Sequence, residues 1–188
     1  MHSKLEDYIQ VFEGVVSDDL CNRILAEYVD SQEWIRTHVG KTNVADSSVR
    51  SASVIGISSN IIMDANPEVR YGLDKEIFQC AADVIGKYKD VYPLAEIEQD
   101  SGYELLRYKE GQFYMQHTDS FKAIPRTISC SFALNDDYEG GEWGFWDREI
   151  TIKLPKGAAI LFPSNFMYPH EIMSVTKGTR YSVITWFI

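Results

Sequence analysis

Cysteine is scarce in this chain: Cys21, Cys80 and Cys130 are the only three in 188 residues. None sits at a metal-finger spacing, and an odd number leaves one unpaired, so they read as buried thiols in a reducing compartment. Positive charge is also short, with 18 Lys and Arg against 28 Asp and Glu and a formal net charge of −10. A phosphate-tracking surface needs clustered positive charge, so nucleic acid is not the expected partner. No apolar run is long enough to span a membrane. The opening Met1-His2-Ser3-Lys4-Leu5-Glu6-Asp7 lacks the apolar core of a signal peptide. Internal repeats, low-complexity segments and linker-like breaks are missing as well. These absences lead to the expectation of a soluble cytoplasmic chain with no membrane partner. A hydrophobic content of 45% at this length supports one domain over residues 1–188 and is short for two.

What is present divides into two halves. Tyr8 to Val16 reads as a strand. Ser17 is a good N-cap, Asp18 and Asp19 suit a first helical turn, and Leu20, Ile24, Leu25 and Tyr28 make an apolar stripe ending near Asp30. Residues 36–50 are polar and read as a loop, and Ser51 to Ile57 as a strand. A longer helix is expected over about Glu68 to Tyr88, with Ile77, Phe78, Ala81, Val84, Ile85 and Tyr88 at helical spacing. Gly72 and Gly86 mark its uncertain ends. The segments 36–50 and 58–71 are candidate substrate lids.

From Gly102 the chain turns to short strand-like runs separated by Gly, Pro and Asn. The expected class is α+β, mainly β, with supporting helices from residues 1–101 and a sandwich or barrel over 102–188, a jelly roll being one such solution. The clearest alternation is Arg126 to Asn135. Ile128, Cys130, Phe132 and Leu134 form its apolar face. Thr127, Ser129, Ser131 and Ala133 form a small face that either borders a ligand or meets solvent. Arg180 to Ile188 is the last strand, with Arg180, Ser182, Ile184 and Trp186 on one face. Arg180 there is either an edge residue in solvent or an inward cation that needs a counter-charge. A dicarboxylate matches a guanidinium bidentately.

The chemistry centres on His117-Thr118-Asp119. Strand residues two apart project to the same side, so an extended Tyr114 to Ser120 puts an imidazole and a carboxylate at one point. A third ligand from another strand, with His170 the candidate, completes a 2-His-1-carboxylate face with open positions, which suits non-haem Fe(II) oxygenase chemistry. Taken alone, the His-x-Asp pair is equally a hydrogen-bonded pair at a strand end.

The ordered set is more specific. Arg107-Tyr108-x-x-Gly111-Gln112-x-Tyr114-x-x-His117-x-Asp119 is followed by Gly140-Gly141-Glu142 and by Pro155-Lys156-Gly157-Ala158-Ala159-Ile160-Leu161-Phe162. Then come His170-Glu171, Val175-Thr176-Lys177-Gly178-x-Arg180-Tyr181 and Trp186. Over about residues 102–188 this resembles the prolyl 4-hydroxylase-like branch of the 2-oxoglutarate/Fe(II) oxygenases. Residues 1–101 match loosely, through Ser17-Asp18-Asp19-Leu20-Cys21 and Arg50-Ser51.

The resemblance implies a double-stranded β-helix with helices behind one sheet. It implies Fe(II) held by His117, Asp119 and His170, with 2-oxoglutarate and O2 as cosubstrates and ascorbate as a supporting reductant. Arg180 and Tyr108 correspond to the residues that take the far carboxylate of 2-oxoglutarate, and Ser182, Trp143 and Trp186 lie where its other contacts fall. Tyr114 and Ser129 are candidates on the substrate side. Three departures affect the transfer: Trp143 stands where an aliphatic residue usually follows Gly-Gly-Glu, Arg180 where the collagen-type members usually have lysine, and Ala133 where some relatives have a second tyrosine.

The function implied is hydroxylation of an aliphatic C–H, first on a peptidyl residue such as proline, with succinate and CO2 as coproducts. A free amino acid or other small molecule is the second substrate class. A non-catalytic metal- or ligand-binding barrel, acting as a sensor or scaffold, is the reading of another class.

Overall fold

The computed structural model describes residues 4–37, 46–58 and 67–188. A 3-10 turn at Leu5–Tyr8 leads into β1 (Gln10–Phe12), α1 (Asp18–Tyr28), β2 (Ile35–Arg36), β3 (Ser53–Gly56) and α2 (Pro67–Val91). The second half is β4 (Glu104–Lys109), β5 (Tyr114–His117), β6 (Ile128–Ala133), β7 (Glu139–Gly140), β8 (Trp143–Phe145) and β9 (Ile150–Ile152). It closes with β10 (Ala159–Pro163), β11 (His170–Ile172), β12 (Val175–Lys177) and β13 (Thr179–Phe187).

The strands form a major sheet in the order β1-β10-β6-β13-β4-β3-β2 and a minor sheet in the order β5-β11-β8-β9, with β12 and β7 paired as a ribbon. Every pairing is antiparallel. This is the expected double-stranded β-helix with helices supporting one sheet.

The alternation in β6 decides how the layers assemble. Ile128, Cys130, Phe132 and Leu134 join Leu20, Ile24, Tyr28, Ile77, Val84 and Tyr88 in one core between the major sheet and the helices. The opposite face of the same sheet meets the minor sheet in a second core, where Tyr108, Ala133, Ile160 and Phe162 pack with Trp143, Phe145 and Ile172. Burying a sheet on both faces removes apolar area at roughly 25 cal/mol per Å², and it forces the small face of β6 inward. Ser129 and Ser131 are buried there, so that face does not meet solvent.

α1 forms as its signals require: the Ser17 side chain accepts the Leu20 N–H at 3.2 Å, and Asp18 and Asp19 occupy the first turn. Several boundaries differ from expectation. The predicted strand over Tyr8 to Val16 is only Gln10–Phe12, because Gly14 turns the chain at φ +64°. Val16 N–H then bonds to Gly157 O at 2.9 Å. α2 extends past both expected ends, and Gly72 and Gly86 lie within it. Phe78 is exposed rather than part of its buried stripe. Of the two predicted lids, residues 38–45 and 59–66 lie outside the described residues, as do His2 and most of the loop around His38. Pro67 to Tyr71 are the first turn of α2, not a lid.

Arg180 lies on a central strand. β13 has β6 on one side and β4 on the other, with Arg180 paired to Tyr108 in the register. The solvent-exposed edge position is therefore overturned, and Arg180 is 3% exposed. No helix among the described residues is long and apolar enough to cross a membrane.

Candidate metal centre and cosubstrate cavity

β5 stops at His117, so Asp119 is not on the strand as the alternation argument supposed. It is held by the loop instead: the N–H groups of Asp119 and Ser120 both bond to the carbonyl of Ser164, at 3.2 and 2.9 Å. That carbonyl lies just past β10, so the loop after β5 is strapped to the end of a strand in the other sheet. His170 arrives on β11, directly opposite His117 in the antiparallel register.

The three side chains converge. His117 Nε2 lies 3.4 Å from Asp119 Oδ1, and His170 Nε2 lies 3.5 Å from Asp119 Oδ2. All the potential ligand atoms fall within 4.8 Å of one another. The second nitrogen of each imidazole is committed to backbone. His117 Nδ1 faces Met115 O at 2.9 Å and His170 Nδ1 faces Tyr168 O at 3.0 Å. A backbone carbonyl accepts the Nδ1 proton, which leaves Nε2 as a lone-pair donor aimed at the shared point.

Asp119 is ionised here. Burial opposes its charge, but the His170 and His117 imidazoles and the Ser129 hydroxyl outweigh burial and hold its carboxyl far below the usual range. Ser129 Oγ donates to Asp119 Oδ2 at 2.6 Å and sits 2.8 Å from Ser164 Oγ. His170 is pushed down to about 4 by burial, with Asp119 pulling the other way, so it is neutral near pH 7 and free to ligate. Phe145, Phe162 and Trp143 ring it at centroid distances of 5.9, 4.7 and 5.7 Å. Two imidazoles and one ionised carboxylate, each fixed by a second contact, form a donor set suited to a divalent transition metal.

The triad opens into a cavity of about 670 Å³. Its lining runs from buried His170 to exposed Ile35 and Ile124, so it reaches solvent. Arg180, Tyr108, Ser182, Trp143 and Trp186 all line it, as do Tyr114 and Ser129. Arg180 Nη1 donates to Ser182 Oγ at 3.0 Å, and its guanidinium carbon lies 5.4 Å from the Tyr108 ring centroid and 5.6 Å from that of Trp143. Among the described residues no carboxylate pairs with Arg180. Trp143 Nε1 is buried with no hydrogen-bond partner. A buried cation with an orphaned N–H beside it is a site built for an anion. Tyr114 stacks on the His117 imidazole at 3.5 Å, so it packs beside the metal position rather than simply filling the barrel.

Sequence reasoning did not find Ser164, whose carbonyl holds the Asp119 loop and whose hydroxyl bonds to that of Ser129. It also left Arg126 unassigned. Strand alternation would place Arg126 on the helix-facing side with Ile128, but β6 begins only at Ile128, and Arg126 turns into the cavity instead.

Comparison with known proteins agrees with this geometry. Residues 103–188 match the family model for the 2OG-Fe(II) oxygenase superfamily. A PKHD-type hydroxylase of a Picosynechococcus strain is 40% identical over 86 residues, which cover 43% of this chain and 38% of that protein. A PKHD-type hydroxylase of a Psychrobacter strain is 38% identical over 91 residues, covering 42% and 34%. The matched stretch thus spans well under half the length of these relatives.

In three dimensions the likeness extends over nearly the whole chain. A Trichoplax adhaerens prolyl hydroxylase, solved with a hypoxia inducible factor peptide fragment, superposes with a TM-score of 0.79 at 17% identity, covering 96% of this chain and 83% of that one. A Pseudomonas putida prolyl-4-hydroxylase gives 0.71 at 19% identity, covering 96% and 91%. A collagen prolyl hydroxylase of Paramecium Bursaria Chlorella virus-1, solved with 2-oxoglutarate, gives 0.69 at 20% identity, covering 96% and 95%. Over residues 103–188 the chain is thus similar to the 2OG-Fe(II) oxygenase superfamily, and over nearly its whole length it has the fold of the prolyl hydroxylases it superposes on.

Proposed function

We propose that this protein is an Fe(II)- and 2-oxoglutarate-dependent dioxygenase that hydroxylates an aliphatic C–H of a peptidyl residue, proline first. The observation that carries this reading is the coexistence, in one cavity, of a convergent His-Asp-His triad and a buried arginine with no carboxylate partner among the described residues.

His117 Nε2, His170 Nε2 and Asp119 would hold the iron. Met115 O and Tyr168 O keep both imidazoles in the ligating tautomer, and Ser129 engages Asp119 Oδ2. Arg180 would pair with the far carboxylate of 2-oxoglutarate, supported by Ser182, with Tyr108 and the Trp143 N–H at its sides. Bound iron with 2-oxoglutarate supplies the activation of O2 that oxidises the C–H, with release of succinate and CO2. Phe145, Phe162 and Trp143 keep bulk water from His170, so the reacting centre is dry on that side. Ascorbate as a supporting reductant belongs to the same proposal.

A peptide substrate is favoured over a closed small-molecule pocket by the cavity's volume and its opening past Ile35 and Ile124. The peptide bound to the Trichoplax relative supports the same class. The retention of a complete triad together with Arg180 argues against a non-catalytic barrel.

The test is anaerobic. Fe(II) and then 2-oxoglutarate are added to apo-protein, and the visible charge-transfer band of the chelate is followed. The band is expected in wild type, absent in His117→Ala, and shifted to much higher 2-oxoglutarate in Arg180→Ala. A wild type with no band and no affinity for 2-oxoglutarate refutes the assignment.

A further inference from the structure

Two more arginines face the cavity, and the chemistry above does not use them. Arg50 forms an isolated antiparallel bridge with Tyr114. Its guanidinium carbon lies 4.4 Å from the centroid of the Tyr114 ring, which itself stacks on His117. Arg126 lies just before β6, with its guanidinium carbon 3.5 Å from the Trp186 ring centroid. Its Nη1 donates to the Asp119 carbonyl at 3.3 Å. Arg50 therefore approaches the triad through the neighbour of His117, and Arg126 through Asp119 itself.

Both guanidiniums have unmet needs. The Nε of each is buried without a hydrogen-bond partner. Among the described residues neither forms an ion pair with a carboxylate. Arginine keeps its charge at any working pH, so a buried one is costly until an anion answers it. Burial opposes the charge on Arg50, but the phenols of Tyr108 and Tyr114, and behind them Glu104, outweigh it and hold its guanidinium above the usual arginine range. Burial holds Arg126 below the usual arginine range, with the Arg50 charge pushing the same way and Asp119 and Glu104 pulling back. The two guanidiniums are close enough to repel.

Among the described residues the charge in the cavity does not close: Arg50, Arg126 and Arg180 face two lining carboxylates, Asp119 and Glu104. Fe(II) and doubly charged 2-oxoglutarate cancel each other, which leaves one positive charge in surplus. Arg126 stacks on Trp186, near the end of β13, whereas Arg180 lies near its start.

We infer that Arg50 and Arg126 form a carboxylate-binding subsite, and that the substrate carries a carboxylate beside the C–H that is hydroxylated. The inference rests on the reading of this cavity as an Fe(II)/2-oxoglutarate site, and it narrows the substrate class. The carboxylate has two sources: an acidic side chain adjoining the reacting residue of a peptide, or the free α-carboxylate of an amino acid.

The experiment is a binding titration on the anaerobic Fe(II)/2-oxoglutarate protein, read by tryptophan fluorescence, since Trp143 and Trp186 both line the cavity. Two acid–amide pairs are compared. One is a capped peptide containing Pro-Glu against the same peptide with Pro-Gln. The other is L-proline against L-prolinamide. In at least one pair the acid is expected to bind about tenfold tighter than the amide, as for a charged hydrogen-bonded contact. That preference is expected to vanish in Arg50→Gln and in Arg126→Gln. The pair that shows it identifies the source of the carboxylate.

Equal binding of acid and amide in both pairs overturns the subsite, and this comparison needs no variant to fold. A preference that survives both substitutions also overturns it. So does loss of 2-oxoglutarate affinity in both variants, which would assign the arginines to the cosubstrate. The chelate band separates the two levels: a band without acid preference sinks the subsite alone, and no band sinks the cosubstrate reading and the subsite with it.

Discussion

His117 and His170 are cross-strand partners, paired in the register of β5 and β11 with ring centroids 4.3 Å apart. Direct partners in an antiparallel pair project to the same face of the sheet, so the two imidazoles share one side by construction. The register shifts between His170 and Ile172, and an irregularity of this kind bends a strand and re-aims its side chains. Asp119 is added from a loop. The candidate centre is thus two strand histidines and one loop carboxylate held by hydrogen bonds, and the loop carboxylate is the one most sensitive to its neighbours.

Ser129→Ala tests that sensitivity. It removes the 2.6 Å bond to Asp119 Oδ2 while keeping the small face of β6. Loss of such a supporting contact typically costs 10–100-fold in metal affinity. An anaerobic Fe(II) titration should show a loss of about that size, with 2-oxoglutarate affinity changed little once the metal is saturating. Unchanged Fe(II) affinity would mean that the Ser164 straps alone fix Asp119.

Trp143→Phe probes the orphaned indole N–H. The substitution keeps an aromatic ring against Phe162 and His170 but removes the donor. A hydrogen bond to a charged group contributes roughly 1.5–3 kcal/mol, so 2-oxoglutarate should bind about tenfold or more weakly. Calorimetry on the Fe(II) form would measure this. Equal affinity would show that the indole only fills space.

The metal-free protein should lose stability as pH falls from about 6.5 to about 4. Burial pushes the His170 pKa down to about 4, against an ordinary value of 6.5. Within that window the unfolded chain binds a proton at His170 that the folded chain refuses, so unfolding becomes easier with acid. The full shift corresponds to about 3 kcal/mol as an upper bound. Asp119, held low, contributes stability that starts to disappear only below its ordinary value of 3.8, outside this window. Urea unfolding between pH 7 and pH 4.5 should slope downward in wild type and less steeply in His170→Gln. Parallel slopes would assign the effect to other groups.

Gly157→Ala should destabilise the fold without touching the cavity. Gly157 sits at φ +77°, and a Cβ there would meet the Val16 carbonyl oxygen at 2.4 Å. The left-handed conformation alone costs an L-residue roughly 1–2 kcal/mol, and the clash with backbone adds to it. A total on the order of 2 kcal/mol or more lowers Tm by about 4–8 °C in a chain of this size. Thermal unfolding followed by circular dichroism checks this, and an unchanged Tm would mean that β10 and the start of α1 separate without cost.

The sequence by itself determined the class of the fold and singled out the residues of the candidate site. Period-two alternation from Ile128 to Leu134 is a local property, and it sorted the helix-facing residues from the small ones without reference to any other strand. Arg180, Ser182, Ile184 and Trp186 were likewise legible as one face, since a strand alternates wherever it lies. His117, Asp119 and His170 were legible as a candidate triad because their spacing and order fit a motif, and the fold brings them together. Where alternation stops, so did legibility. Asp119 and Arg126 both lie just outside a strand, and their directions are set by the Ser164 carbonyl and the Trp186 ring, contacts made across the fold. Tertiary structure also decided that β13 is central, which turned Arg180 from a possible surface residue into a buried cation with no carboxylate partner among the described residues. Burial, register and the fate of a lone charge depend on what the rest of the chain places alongside. No local pattern carries that information.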